Sequence, residues 1–167
     1  MLPSSDKGAI MAVGLMYSSQ FTAVSVTNAT QDIWELIAAA GVPIIVHWIS
    51  LTIEPTITSG VAQDVRMRLQ LVERSTTGTG GSAVTPVGLH PRNTVAASTT
   101  TTRTVTTPGT IGDIRWSDTA SIIVPYEKIW TPDTRQPVQG GGRLCLFLQT
   151  ALGAAYNASS TVCFEEL

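Results

Sequence analysis

The chain has 167 residues, enough for one domain with a buried core, and carries a formal net charge of −2. That balance, with no Lys/Arg cluster anywhere, argues against nucleic-acid binding. No apolar run approaches the roughly 20 residues that span a bilayer, and Cys145 and Cys163 alone make no disulfide framework.

Only 13% of the residues are charged, against about a quarter in a typical soluble domain. Thr, Ser, Gln and Gly must therefore cover the surface. Such a surface repels neighbouring copies weakly, which favours association with other protein.

In chain order, residues 8–16 (GAIMAVGLM) are the one stretch resembling a signal-peptide core. It is short and follows Asp6 and Lys7, whose charges cancel, so it reads as part of the mature chain. Residues 1–15 are taken as an N-terminal arm and 16–167 as a single domain made in a reducing cytoplasm. Short strands are expected at 20–27 and 31–38. The second also has a capping Thr/Asp pattern before Gly41 that suits a short helix, but its β-branched and aromatic content favours a strand.

Residues 42–54 predict a longer strand, with Ile45, His47, Ile49, Leu51 and Ile53 on one face and Val46 and Trp48 on the other. Val65, Met67, Leu69 and Leu71 alternate with Asp64, Arg66, Arg68 and Gln70, the pattern of a half-buried antiparallel strand. Further strands are expected at 84–89 and 120–130. Another spans 142–150, with Leu144, Leu146 and Leu148 inward, and the last is 160–167, with Val162 and Phe164 inward. Gly/Pro-rich turns between many short strands indicate an all-β fold, an antiparallel sandwich with long loops.

Residues 95–110 (VAASTTTTRTVTTPGT) allow a linker, a mucin-like stalk or ordered structure. Strand patterns lie on both sides and neither half has enough strands for its own core. Threonine suits a pleated surface, so residues 93–107 read as an extended segment or edge strand leading into a long loop of the same domain.

No constellation for chemistry emerges. His47 lies on an apolar face and reads as a core histidine with a hydrogen-bond partner; His90 has no Cys or carboxylate at ligand spacing. The glycines at 140–142 lead into a strand and lack the Lys-Ser/Thr of a phosphate loop. Glu165 and Glu166 are adjacent, so on a strand they face opposite ways and cannot act as an acid–base pair. No catalytic residue, cofactor or metal is expected.

Several phrases of the chain resemble a known group: MYSSQFTAVSVT (16–27), IIVHWI (44–49), TPVGLHP (85–91), YEKIWTPD (126–133), GRL (142–144) and STVCFEEL (160–167). Together they resemble the capsid decoration (cement) proteins of tailed bacteriophages, small head proteins on a jelly-roll-like β-fold. The likeness covers most of 16–167; residues 1–15 depart from it. It implies a non-enzymatic homotrimer on the outer surface of the virion head, bound to the major capsid protein, bridging capsomers, with no role for nucleic acid or membrane. The runner-up is a carbohydrate- or receptor-binding jelly roll of a tail fibre or baseplate, for which Trp116, Tyr126 and Trp130 are the candidate stacking aromatics. For the first reading, the arm, the threonine segment 95–107 and the glycine-rich loop 76–82 are taken as too polar or too isolated to be core. Contacts to the capsid or a neighbouring protomer are then expected at Ile10, Met11, Val13, Leu15, Met16, Thr99, Thr101 and Arg103.

Overall fold

The computed structural model describes residues 14–27, 29–54, 66–150 and 156–167. These residues form two antiparallel six-stranded sheets packed face to face, a β-sandwich. The first sheet runs β10 (Gln136–Val138), β3 (Ile44–Glu54), β12 (Tyr156–Glu166), β1 (Leu15–Val26) and β6 (Val87–Gly88), and β9 (Tyr126–Ile129) also pairs with β3. The second runs β5 (Ser82–Val84), β7 (Thr100–Val105), β2 (Gln31–Ile37), β11 (Arg143–Leu148), β4 (Arg66–Arg74) and β8 (Ile111–Ser121). A 3-10 turn occupies Pro132–Thr134. The chain changes sheet at each step from β1 to β4, which interleaves the two layers early.

Cross-layer contacts fix how the sheets stack. Ser19 of β1 meets Thr101 of β7 at 2.9 Å, and Trp34 of β2 donates its indole N–H to Ser160 of β12 at 2.8 Å. At the other end Trp116 of β8 packs edge-on to Trp130 and tilted against Tyr126 of β9. The sandwich therefore extends from an edge formed by β5 and β6 to one formed by β8 and β9. Between them lies one core, in which Tyr17, Trp34, Leu36, Leu51, Leu144, Leu146 and Phe164 are all buried. The expected inward rows of β4, β11 and β12 are found there, except that Val65 lies outside the described residues.

The 31–38 segment is strand β2, and no helix forms. Two expected strands are broken. Pro86 lies between β5 and β6, where it removes a ladder donor, and a turn at 122–125 separates β8 from β9. Strand β8 begins at Ile111, nine residues before the expected start, because its polar residues Asp113, Ser117 and Asp118 hide it from an apolar-periodicity reading.

A β-bulge corrects the expected facing of β3. Its register against β12 slips between Cys163↔Trp48 and Phe164↔Val46. The extra residue inverts the alternation, so Ile44 and Val46 point inward before it and Ile49, Leu51 and Ile53 after it. Ile45 and His47 thus lie outside the core, contrary to the period-2 reading.

A second bulge falls on β2 at Ile33, where the register against β11 passes from Leu146↔Trp34 to Phe147↔Asp32. It places Asp32 and Glu35, three positions apart, on the same outer face. There they join Val72 and Arg74 of β4, Val105 of β7 and Cys145 and Phe147 of β11, all buried. The glycine-rich loop closes this outer layer: Gly78 N–H donates to Glu35 at 3.0 Å, and Thr79 and Thr107 exchange both backbone bonds. A Cβ on Gly78 would strike Val105, and one on Gly109 the Thr76 carbonyl. The loop 76–82, read from the sequence as too polar for core, is thus clamped to its own domain.

Both cysteines are free and buried, one on the outer side of each sheet, so no bridge joins them. Burial, reinforced by Asp32 and Glu35, drives the Cys145 thiol far above its usual range, and burial alone pushes Cys163 up to about 11. Because the thiolate is the reactive form, native protein should react slowly with a thiol reagent, Cys145 slowest. Full unfolding should release two thiols; a count below two without reductant would contradict this.

Candidate functional site

The side chains expected to carry contacts divide into three groups. Ile10, Met11 and Val13 lie outside the described residues. Leu15 is exposed and Met16 half-buried where β1 begins, beside a cleft of about 400 Å³ lined by Gly14, Leu15, Met16, His90, Arg92 and Asn93. The chain therefore enters the domain through an apolar recess at the β6 edge.

The threonine segment is the main correction. Thr99 and Thr101 are 2% and 1% exposed, so in the folded chain they offer no surface to a partner. Thr101 donates to the Val84 carbonyl at 2.7 Å and meets Ser19 across the layers. Thr99 N–H donates to Glu166 at 2.6 Å, with Ser98 N–H on the same carboxylate at 3.2 Å. Strand β7 lies between β2 and β5, so it is not an edge strand. Arg103 is partly exposed, its guanidinium 5.9 Å from the Phe21 ring.

The most deeply buried pair of titratable groups joins β4 to β2. Arg74 donates to Asp32 at 2.6 Å and to the Gly109 carbonyl at 3.0 Å, and stacks 4.7 Å from the Phe147 ring. The Arg74 and Asp32 side chains are 1% and 0% exposed, which excludes them from contact with any substrate. Burial raises the Asp32 carboxyl to about 6, with Glu35 adding to the rise, against the pull of Arg74. Among the described residues, no group of three or more His, Cys, Asp and Glu side chains could hold a metal ion.

His47, turned outward by the bulge, pairs with Glu165 at 2.9 Å, at 15% and 19% exposure. The partner that the sequence required exists, although the ring lies outside the core. The pair is mostly buried, so His47→Leu, which leaves Glu165 without its partner, should lower stability by about 1–3 kcal/mol in urea unfolding. A larger loss would show that the imidazole supports the core.

The aromatic trio of the runner-up reading does come together. Trp116 lies 6.1 Å from Tyr126 and 6.0 Å from Trp130, and Lys128 covers the Trp116 face at 5.5 Å. Trp130 is buried and the Tyr126 hydroxyl donates to Asp118 at 3.1 Å. These rings pack together between β8 and β9, with Trp116 and Tyr126 partly exposed.

What remains at the surface is apolar and unevenly placed. Leu15, Val87, Leu89, Val95 and Leu167 are exposed around the start of β1, at the β6 edge. Ile111, Ile114, Ile123, Val124 and Ile129 are exposed on β8, β9 and the turn joining them. Among the described residues the exposed large apolar side chains thus gather toward two opposite edges of the sandwich, close together at the start of β1 and spread along β8 and β9 at the other. Comparison with known proteins adds nothing to this geometry. No family model, no curated protein and no solved structure matches the chain.

Proposed function

We propose that this chain is a non-enzymatic capsid decoration protein of a tailed bacteriophage. In this reading it binds the outer head surface as a homotrimer and stabilises the shell by bridging copies of the major capsid protein. The observation that carries the proposal is the exposed apolar surface at two opposite edges of a charge-poor sandwich whose Arg74–Asp32 pair is sealed away from solvent. Exposed apolar patches mark protein contact more often than chemistry, and two of them suit a protein that touches a neighbour on each side. The resemblance of residues 16–167 to decoration proteins supplies the identity of that neighbour. Many weak contacts made at once then stabilise the assembled shell by mass action.

Mixing the purified protein with undecorated heads tests this. Co-sedimentation to a saturating ratio is expected, together with a higher disruption temperature for the decorated heads. Heads that neither bind the protein nor gain stability would end the proposal. The carbohydrate-binding alternative is disfavoured by the packed state of Trp116, Tyr126 and Trp130; retention on a glycan array that Trp116→Ala abolishes would revive it.

A further inference from the structure

The loop 76–82 covers one end of the second sheet's outer face, around Glu35. At the other end Arg66 and Arg68 of β4 are exposed. Alternation along the strand puts both on that outer face, with Met67 and Leu69 buried on the inner one. Their Cα atoms are about 6.8 Å apart, close enough for two guanidinium groups to meet one ligand. Thr119, Gln149 and Thr150 join them around a cleft of about 480 Å³. Thr119 of β8 stands opposite Arg68, and Gln149 N–H, just past β11, donates to the Arg68 carbonyl at 2.9 Å. Three neighbouring segments thus supply the walls.

Each of these five side chains can donate a hydrogen bond. Thr150 Oγ1 accepts the Arg68 N–H at 3.0 Å, which leaves its own hydrogen to give. The Gln149 Oε1 faces the Arg68 guanidinium at 3.5 Å, which leaves the amide hydrogens. Acceptors of negative charge are missing. Arg74 and Arg115 each hold a carboxylate, whereas among the described residues Arg66 and Arg68 hold none. Asp118, next to Thr119 on β8, lies on the opposite face, where it accepts the Tyr126 hydroxyl.

Two positive charges among unanswered donors call for an anion, and the directions of the donors select its shape. A carboxylate offers two oxygens in one plane, and a single guanidinium fork can saturate it. A phosphate monoester carries about −1.5 to −2 charge and three acceptor oxygens pointing different ways, which suits donors arriving from β4, β8 and the end of β11. Two cations are too few for a nucleic-acid backbone, where roughly six to ten phosphate contacts act together. We propose that this cleft binds a phosphate monoester, its oxygens on the Arg66 and Arg68 guanidiniums and the Thr119 and Thr150 hydroxyls. The remaining volume holds the rest of a small ester. The site stands apart from the decoration reading, and no heads enter its test.

Titration of the isotope-labelled full chain with inorganic phosphate, followed by NMR at constant ionic strength, tests this. The Arg66 and Arg68 Nε–H signals and the Thr119 and Gln149 amides should shift together and saturate at millimolar phosphate. O-phosphoserine should bind at least as tightly, and acetate about tenfold more weakly. Arg66→Gln and Arg68→Gln should each weaken phosphate binding about tenfold. Arg66→Lys/Arg68→Lys, which keeps both charges but removes the forks, should weaken it by a similar factor. Phosphate should also raise the unfolding temperature of wild type by more than that of Arg66→Gln/Arg68→Gln, since only a folded site binds it. If the Gln variants lose their strand spectrum, the Lys variant carries the comparison. A wild type without a saturable response, as when a carboxylate outside the described residues already holds the pair, would overturn the proposal. So would an equal response to acetate or chloride, or a folded Arg66→Gln/Arg68→Gln protein that binds phosphate like wild type.

Discussion

Arg74→Met should cost about 3–5 kcal/mol, the usual loss when one partner of a buried ion pair is removed. Among the described residues Arg74 is the cation bonded to Asp32, and Glu35 faces the same buried layer. Without the guanidinium, two carboxylates remain out of water beside each other, and the Gly109 carbonyl and the Phe147 ring lose a partner. Since small domains are stable by only about 5–15 kcal/mol, the urea midpoint should fall sharply at an unchanged slope. Asp32→Asn in the Arg74→Met background should recover part of the loss, because it removes one stranded charge. A cost below about 1 kcal/mol for Arg74→Met would mean that water reaches the layer and that the loop 76–82 does not seal it.

The same layer gives a pH dependence of definite sign. The Asp32 carboxyl is raised from 3.8 to about 6 in the folded chain. Below pH 3.8 both states hold the proton and the contribution is fully present. Between 3.8 and 6 the folded state keeps a proton that the unfolded state releases, so stability falls as pH rises through this window. Relative to Asp32→Asn, the wild type should gain stability between pH 7.5 and pH 4.5. Carboxylates common to both proteins, such as Glu73 on Arg115 and Glu165 on His47, largely cancel in the difference. A difference that stays flat with pH would place the Asp32 carboxyl in its ordinary range.

The sandwich was legible wherever local alternation decides the outcome. Met67, Leu69 and Leu71, Leu144 to Leu148, and Val162 with Phe164 point where period 2 puts them. The rule failed at His47 and at Ile33, where a bulge depends on how a distant strand pairs. Nothing near Asp32 and Glu35 indicates that the slip at Ile33 brings them onto one face. The threonine run was read correctly as ordered but wrongly as peripheral, since β5 and Glu166, distant in sequence, cover it.

Glu166→Ala should cost about 2–3 kcal/mol, below Arg74→Met, because it strands two backbone donors at about 1–3 kcal/mol each, one of them only partly buried. The carboxylate ends β12 and holds Ser98 and Thr99 N–H, so the last strand of the chain fixes the entry to β7. Glu166→Gln, which keeps one good acceptor, should lose roughly half as much. The loss should be local: the Ser98 and Thr99 amides should exchange faster with solvent, while amides inside the β7 ladder with β2 and β5 stay protected. The Tyr17 hydroxyl also donates to the Val95 carbonyl, at 3.2 Å. Two tethers thus hold 95–99 beside the start of β1, and loosening one should also loosen the apolar patch from which the arm departs. Unchanged exchange at Ser98 and Thr99 with unchanged stability would show that β7 alone orders the segment and that the carboxylate is incidental to it.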